Sequence, residues 1–284
     1  MRRDGRRSEN IEDRRGQGVR RGTIGGGIGL IIIVLVGMLL GADPSTILNM
    51  IAGGSGGLPS QSEMNRSGAD AELVDFVSVV LGDTEDTWQD IFKQKHMVYK
   101  QPKLVLFSDG VDSACGFAQS AVGPFYCAND QKVYIDLSFY HDLKDQYGAP
   151  GDFAQAYVIS HEVGHHVQNL LGDLEQVHRL ESQTDEVTAN KLSVMLELQA
   201  DCYAGVWANH ANKTRQIIET GDIEEALNAA SKIGDDALQK QAQGYVVPDA
   251  FTHGSSAQRM KWFKAGLERG DFNSCDTFNS DTLN

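Results

Sequence analysis

Hydrophobic positions fall into three regimes along this chain. From Gly22 to Ala42 no residue is charged, and Ile28 to Leu40 is Leu, Ile and Val interrupted only by Gly29, Gly37 and Met38. About 20 uncharged, mostly apolar residues are enough for a helix that crosses a bilayer, so residues 23–42 are expected to form a transmembrane anchor. Residues 52–68 are rich in Gly, Ser and Asn, which reads as a flexible tether. This places a linker at 43–68 and a folded domain at 69–284.

Within that domain the pattern changes again. Leu73, Phe76, Val77 and Val80, then Trp88, Ile91 and Phe92, lie at helical spacing and predict two helices ending near Gln94. Strand-like runs follow at residues 103–107 and 132–136. Helical periodicity then dominates over residues 152–171, 186–209, 223–243 and 255–269. Few strands followed by many helices imply an α+β domain, mostly helical with a small sheet. No internal repeat is present.

Charge refines the first regime. Residues 1–22 hold eight arginines against four acids, whereas the rest of the chain carries a net charge of -18. Arginine before the apolar stretch and none just after it predict a cytoplasmic tail at 1–22 and an exported domain. A cleaved signal peptide is the rival reading, but the basic region is long for one, and Leu40 is a poor residue three before a cut. The acidic body would repel phosphate backbones, so nucleic acid is not expected as a partner.

Four cysteines, Cys115, Cys127, Cys202 and Cys275, follow the anchor, where an oxidising compartment permits two disulfides. Cys115 and Cys127 bracket a short Gly- and Pro-containing loop, which favours that pair and leaves Cys202 with Cys275. Free buried thiols are the alternative.

The candidate chemistry lies in residues 152–171, where His161-Glu162-Val163-Gly164-His165 places two imidazoles one turn apart on one helix face. That spacing can chelate one zinc ion, with Glu162 beside the metal as a general base. A catalytic zinc also needs a third protein ligand, and the next long helix offers Glu197 and Asp201, again four apart. One could bind the metal and the other receive the N–H of a ligating histidine. Gln168 and Leu171 stand where a metzincin would have Gly and His, which excludes that branch. Taken singly, each of these residues could be a satisfied core histidine or a solvated acid; together they point to a metal.

The sequence resembles the neutral zinc metallopeptidase family of bacterial membrane-anchored proteins, the YpfJ type. The likeness rests on Asn10-Ile11-Glu12-Asp13-Arg14-Arg15-Gly16, the apolar stretch, residues 131–137, His161 to Gln168, Glu197-Leu198-Gln199-Ala200-Asp201-Cys202 and His253-Gly254-Ser255-Ser256. It implies a zincin-like fold of the gluzincin branch, with His161, His165 and Glu197 holding Zn2+ and Asp201 behind them. It also implies a bacterial inner-membrane protein, single-pass, with its catalytic domain in the periplasm. Residues 131–137 would then be the edge strand that binds a substrate peptide by strand addition, or else an ordinary core strand.

The expected reaction is hydrolysis of a peptide or protein substrate by an activated water, Glu162 taking its proton and passing it to the leaving amine. Tyr245, His253 and Arg259 are candidates for stabilising the oxyanion, His253 first because it falls in a shared motif, although it could equally pack or cap the following helix. His166 and His178 read as structural. A non-catalytic zinc-bound scaffold and a cell-wall amidase are the rival functions; a pure binding site has no need of Glu162, and only substrate profiling separates amidase from peptidase.

Overall fold

The computed structural model describes residues 1–16 and 61–279, with side chains in the first long helix described from Asp70 onward. In chain order the elements are β1 (Ile11–Asp13), α1 (Gln61–Gln94), β2 (Lys103–Phe107), β3 (Gly110–Ser113), β4 (Gly116–Gln119), β5 (Phe125–Cys127), β6 (Lys132–Asp136), α2 (Ser138–Asp145), α3 (Asp152–Leu171), α4 (Asp173–Glu181), α5 (Glu186–Arg215), α6 (Asp222–Lys232), α7 (Asp235–Gln243) and α8 (Ser256–Arg269). The α+β expectation is met. Among the described residues no helix is long and apolar enough to cross a membrane, and the anchor expected at 23–42 and the linker at 43–68 fall largely outside them.

One sheet has the order β1-β2-β6-β5; β1, β2 and β6 run parallel and β5 is antiparallel at the edge. A separate hairpin pairs β3 with β4. Both faces of α3 are covered: its residues from Phe153 to Gln168 are buried apart from Gln155, as a helix in the middle of a core must be. Phe76, Val77, Leu81 and Trp88 of α1, Leu104 and Leu106 of β2, and Tyr203 and Trp207 of α5 share one core with Tyr157 and Val163 of α3. The helix ends follow local chemistry. Asp185 caps α5 by accepting from the Thr188 N–H at 3.1 Å, Ser255 and Gln258 form a capping box at α8, and Gly172 closes α3 in the left-handed conformation.

Four details depart from the sequence reading. The two helices expected before Gln94 are one continuous helix, α1, which also begins ahead of the boundary set at residue 69. The helix expected over 223–243 is two, α6 and α7, because Gly234 takes an extended backbone (φ -73°, ψ 148°) and redirects the chain. Residues 131–137 contain β6, which is hydrogen-bonded to β2 on one side and β5 on the other, so the edge-strand reading fails and the core-strand alternative holds. Lastly, the tail set at 1–22 is, as far as Gly16, part of the same compact unit as the domain, with β1 in its sheet.

Both disulfides pair as expected. Cys115–Cys127 joins the β3–β4 hairpin to the end of β5, and Cys202–Cys275 joins α5 to the turn after α8.

Candidate metal centre

The site is made where α3 lies against α5, and a glycine sets the distance. A Cβ added to Gly164 would lie 3.0 Å from the Ala200 carbonyl oxygen and 3.1 Å from its Cα, so a larger residue here would press against the α5 backbone and push it back by a few tenths of an ångström. The consequence is that Glu197, one turn before Ala200, faces His161 and His165 across the gap. His161 Nε2 is 3.1 Å from Glu197 Oε2, and His165 Nε2 is 3.3 Å from Glu197 Oε1. Ligand atoms of these three residues all lie within 4.8 Å of one another.

This donor set fits zinc. Two ligands each at 2.0–2.1 Å from a tetrahedral centre are separated by about 3.3 Å, which matches the spacing found. The chemistry agrees as well, since two neutral imidazoles and one carboxylate are a common catalytic set that leaves a fourth position open. Glu162 is buried beside these groups, on the wall of the same cleft. Burial pushes its carboxyl above the ordinary range, even though His161 and His165 pull the other way.

Each histidine is held from behind. His161 Nδ1–H donates to Asp201 Oδ1 at 2.8 Å, which directs Nε2 to the metal position. Asp201 is itself fully buried, and the Arg259 guanidinium grips it at 2.9 and 3.0 Å while the Tyr157 hydroxyl also donates to it. Burial alone would raise the Asp201 carboxyl, yet Arg259 and His161 hold it below its usual value. His165 Nδ1–H donates to Gln168 Oε1 at 2.8 Å, and the Gln168 amide then donates to the Leu196 carbonyl and Gln199 Oε1. Gln168 was missed as a partner by sequence reasoning; its signal was the i, i+3 spacing from His165 on one helix. Without a metal, burial depresses His161, but Asp201 and Glu197 outweigh it and raise its pKa to about 10. His165 also titrates higher than usual, burial again being overcome by Glu197. The Glu197 carboxyl is held well below its ordinary value, its burial outweighed by the two histidines.

A cleft of about 920 Å³ opens over these groups, walled by the 120–126 segment, α2 and the end of the α7–α8 connection. His253 lines it. Its Nδ1 lies 3.2 Å from Asp235 Oδ1, and Asp235 Oδ2 accepts the backbone N–H groups of Thr252, His253 and Gly254 at 2.8, 2.6 and 3.0 Å. The Asp235 hydrogen bond raises the His253 pKa more than burial lowers it. The break between α6 and α7 therefore has a use: it puts Asp235 at the start of α7, under the loop that carries His253. Of the other oxyanion candidates, Tyr245 is exposed away from the cleft lining, and Arg259 spends its donors on Asp201, Tyr157 and the Ile233 carbonyl.

His178 is half of the surprise among the residues read as structural, since it lines the cleft. His166 is structural, as expected: Nε2–H donates to the Lys100 carbonyl at 2.6 Å, so Nδ1 accepts from the Tyr126 hydroxyl of β5 at 3.0 Å. Asp152, Asp222 and Glu225 form a second acidic group, but their oxygens are engaged by the Met1 amino group and the Phe153 N–H.

Two histidines and an acid on α3, faced by a glutamate from α5, form a donor set that could hold a metal ion. The chain belongs to the family described as "Putative neutral zinc metallopeptidase", whose model matches residues 1–278. It is 50% identical over 288 residues to the uncharacterized protein YpfJ of Escherichia coli K12, covering 98% of this chain and 99% of that one. It is also 41% identical over 264 residues to the uncharacterized protein Rv2575 of Mycobacterium tuberculosis H37Rv, covering 87% and 86% of the two chains. No solved structure matches.

Proposed function

We propose that this chain is a zinc-dependent peptidase of bacterial envelope proteins, with His161, His165 and Glu197 holding the metal and Glu162 acting as general base. The observation that carries this reading is the convergence of His161 Nε2 and His165 Nε2 on the two Glu197 oxygens at 3.1 and 3.3 Å. Zinc, when bound, supplies Lewis acidity that lowers the pKa of water and polarises a carbonyl.

The chain's own residues do the rest. Glu162, with its raised pKa, takes a proton from the attacking water and delivers it to the leaving amine, since its affinity for the proton is poised nearer neutrality than that of a free carboxylate. His253, whose Nδ1 is held by Asp235 and whose pKa that contact raises, donates a hydrogen bond to the developing oxyanion. The substrate backbone adds to β5, the edge strand whose residues Phe125 and Tyr126 line the cleft, giving main-chain affinity with side-chain pockets on either side. This arrangement is zincin-like. It also weighs against a non-catalytic scaffold, for which a buried, uptitrated acid beside the metal has no use. The two disulfides support an exported domain, and the apolar stretch 23–42 supports attachment to the inner membrane.

The test is to profile cleavage of a mixed peptide library, with cell-wall fragments alongside, by the zinc-loaded chain and by Glu162→Gln. Peptide cleavage present in the first and lost in the second is expected. Release of amide-linked wall fragments with no peptide cleavage would replace peptidase by amidase.

A further inference from the structure

The arginine-rich start of the chain is built into the domain. β1 pairs with β2 in the register Ile11 to Leu104, Glu12 to Val105 and Asp13 to Leu106. Backbone hydrogen bonds extend the contact on both sides, from Leu104 N to Asn10 O and from Arg14 N to Leu106 O, each 2.8 Å. Upstream, Ser8 N donates to the Ser78 carbonyl of α1 at 2.9 Å.

Side chains make the seat specific. The Glu85 carboxylate of α1 is fully buried, and it accepts from Arg6 Nη2 at 2.7 Å, Ser8 Oγ at 2.6 Å and Asn10 Nδ2 at 2.7 Å. All three donors belong to the N-terminal segment. A Cβ on Gly82 would lie 2.5 Å from the Arg6 carbonyl oxygen, so α1 carries glycine where the segment crosses it. Arg7 pairs with Asp75 at 2.8 and 2.9 Å, and Arg3 pairs with Asp152, the first residue of the helix that bears the metal site. Arg3, Arg6 and Arg7 thus neutralise acids of the domain.

These contacts change the meaning of the arginines. The positive-inside tendency concerns basic residues in loops that flank a span. Here part of the basic excess is consumed in complementing α1 and α3. A charge-assisted seat for a buried carboxylate, a strand ladder and a close-packed glycine cannot all form if the segment and the domain are separated by a bilayer.

We propose that residues 1–16 are an edge strand and strap of the domain that stays on the same side of any bilayer as residues 71–279. The proposal thereby replaces the expected split, with the N-terminus cytoplasmic and the domain periplasmic, by one in which both lie on the same side. The partner of β2 is the chain's own segment, not that of a second copy.

Two single-cysteine variants of the full chain test this, Glu9→Cys on the segment and Lys264→Cys on α8, both at exposed positions and both added to a chain whose native cysteines are paired. Spheroplasts producing each are treated with a membrane-impermeant maleimide before and after lysis. Labelling of both before lysis, or of both only after it, supports the proposal; labelling of one before and the other only after overturns it. The double variant Arg7→Cys with Asp75→Cys, treated with a short bis-maleimide, should link within one chain. A link between two chains would show strand exchange and overturn the intramolecular assignment.

Discussion

Arg259 and Asp201 form a two-point contact in the core, Nε to Oδ2 at 2.9 Å and Nη2 to Oδ1 at 3.0 Å, with neither side chain more than 4% exposed. The pair stands directly behind His161, whose Nδ1 shares Asp201 Oδ1 with the guanidinium. Breaking it from either side has different results. Arg259→Leu leaves a buried carboxylate without its charged partner, which costs about 3–5 kcal/mol of folding stability. Urea unfolding of the metal-free chain should show this as a lowered midpoint with an unchanged slope. Asp201→Ala should keep zinc at saturating concentration with affinity or activity reduced about 10–100-fold. Glu197→Ala should impair zinc binding far more. Zinc titration of both variants decides their roles, and loss of metal from Asp201→Ala alone would exchange them.

Glu162→Gln is expected to retain about one zinc per chain, because no proposed ligand changes, and to lose hydrolysis with the general base. Metal analysis and peptide turnover on the same sample read both. Full turnover in the variant would remove Glu162 from the mechanism.

His253→Gln should lower kcat by about 100- to 1000-fold with little change in KM, as the loss of a donor used mainly in the transition state does. Zinc content should be unchanged. A variant that instead raises KM alone would make His253 a substrate-binding residue, and Asp235→Asn should reproduce the kcat loss in weaker form.

Zinc affinity should rise with pH. In the metal-free site the carboxylates raise the pKa of both histidines, His161 to about 10, so near neutrality His161 holds an added proton that zinc must displace, and the upward shift of His165 acts in the same direction. Binding therefore releases protons, and affinity should climb through pH 6 to 9 and fall in acid. Calorimetry in buffers of different ionisation enthalpy measures the number released. A pH-independent affinity over that range would contradict this account.

Some of the molecule could be read directly from the chain because the governing physics is local. His161 and His165 share a face because the helix repeats every 3.6 residues, and Ser255 caps α8 through a motif four residues long. The strands Lys103–Phe107 and Lys132–Asp136 are continuous β-favouring runs, found where their residues predict them. The apolar core of α3 was visible for the same reason.

What the sequence by itself determined about this protein was thus the α+β class, two strands of the sheet, several of the long helices, and the placing of His161, Glu162 and His165 together on one of them. Tertiary structure alone decided that Arg259 stands behind Asp201. Arg259 lies 58 residues from Asp201 in the chain, and nothing in local spacing distinguishes a guanidinium that grips a buried acid from one that reaches for an oxyanion. It also decided that β5, three residues following a Gly-Pro pair, is the sheet edge over the cleft, because a strand so short leaves no alternation to read. The same holds for β1. Charge counting assigns an arginine-rich segment to solvent, but Glu85, Gly82 and the free edge of β2 give it a seat that exists only once α1 and the sheet have packed, since pairing and desolvation are properties of surfaces brought together.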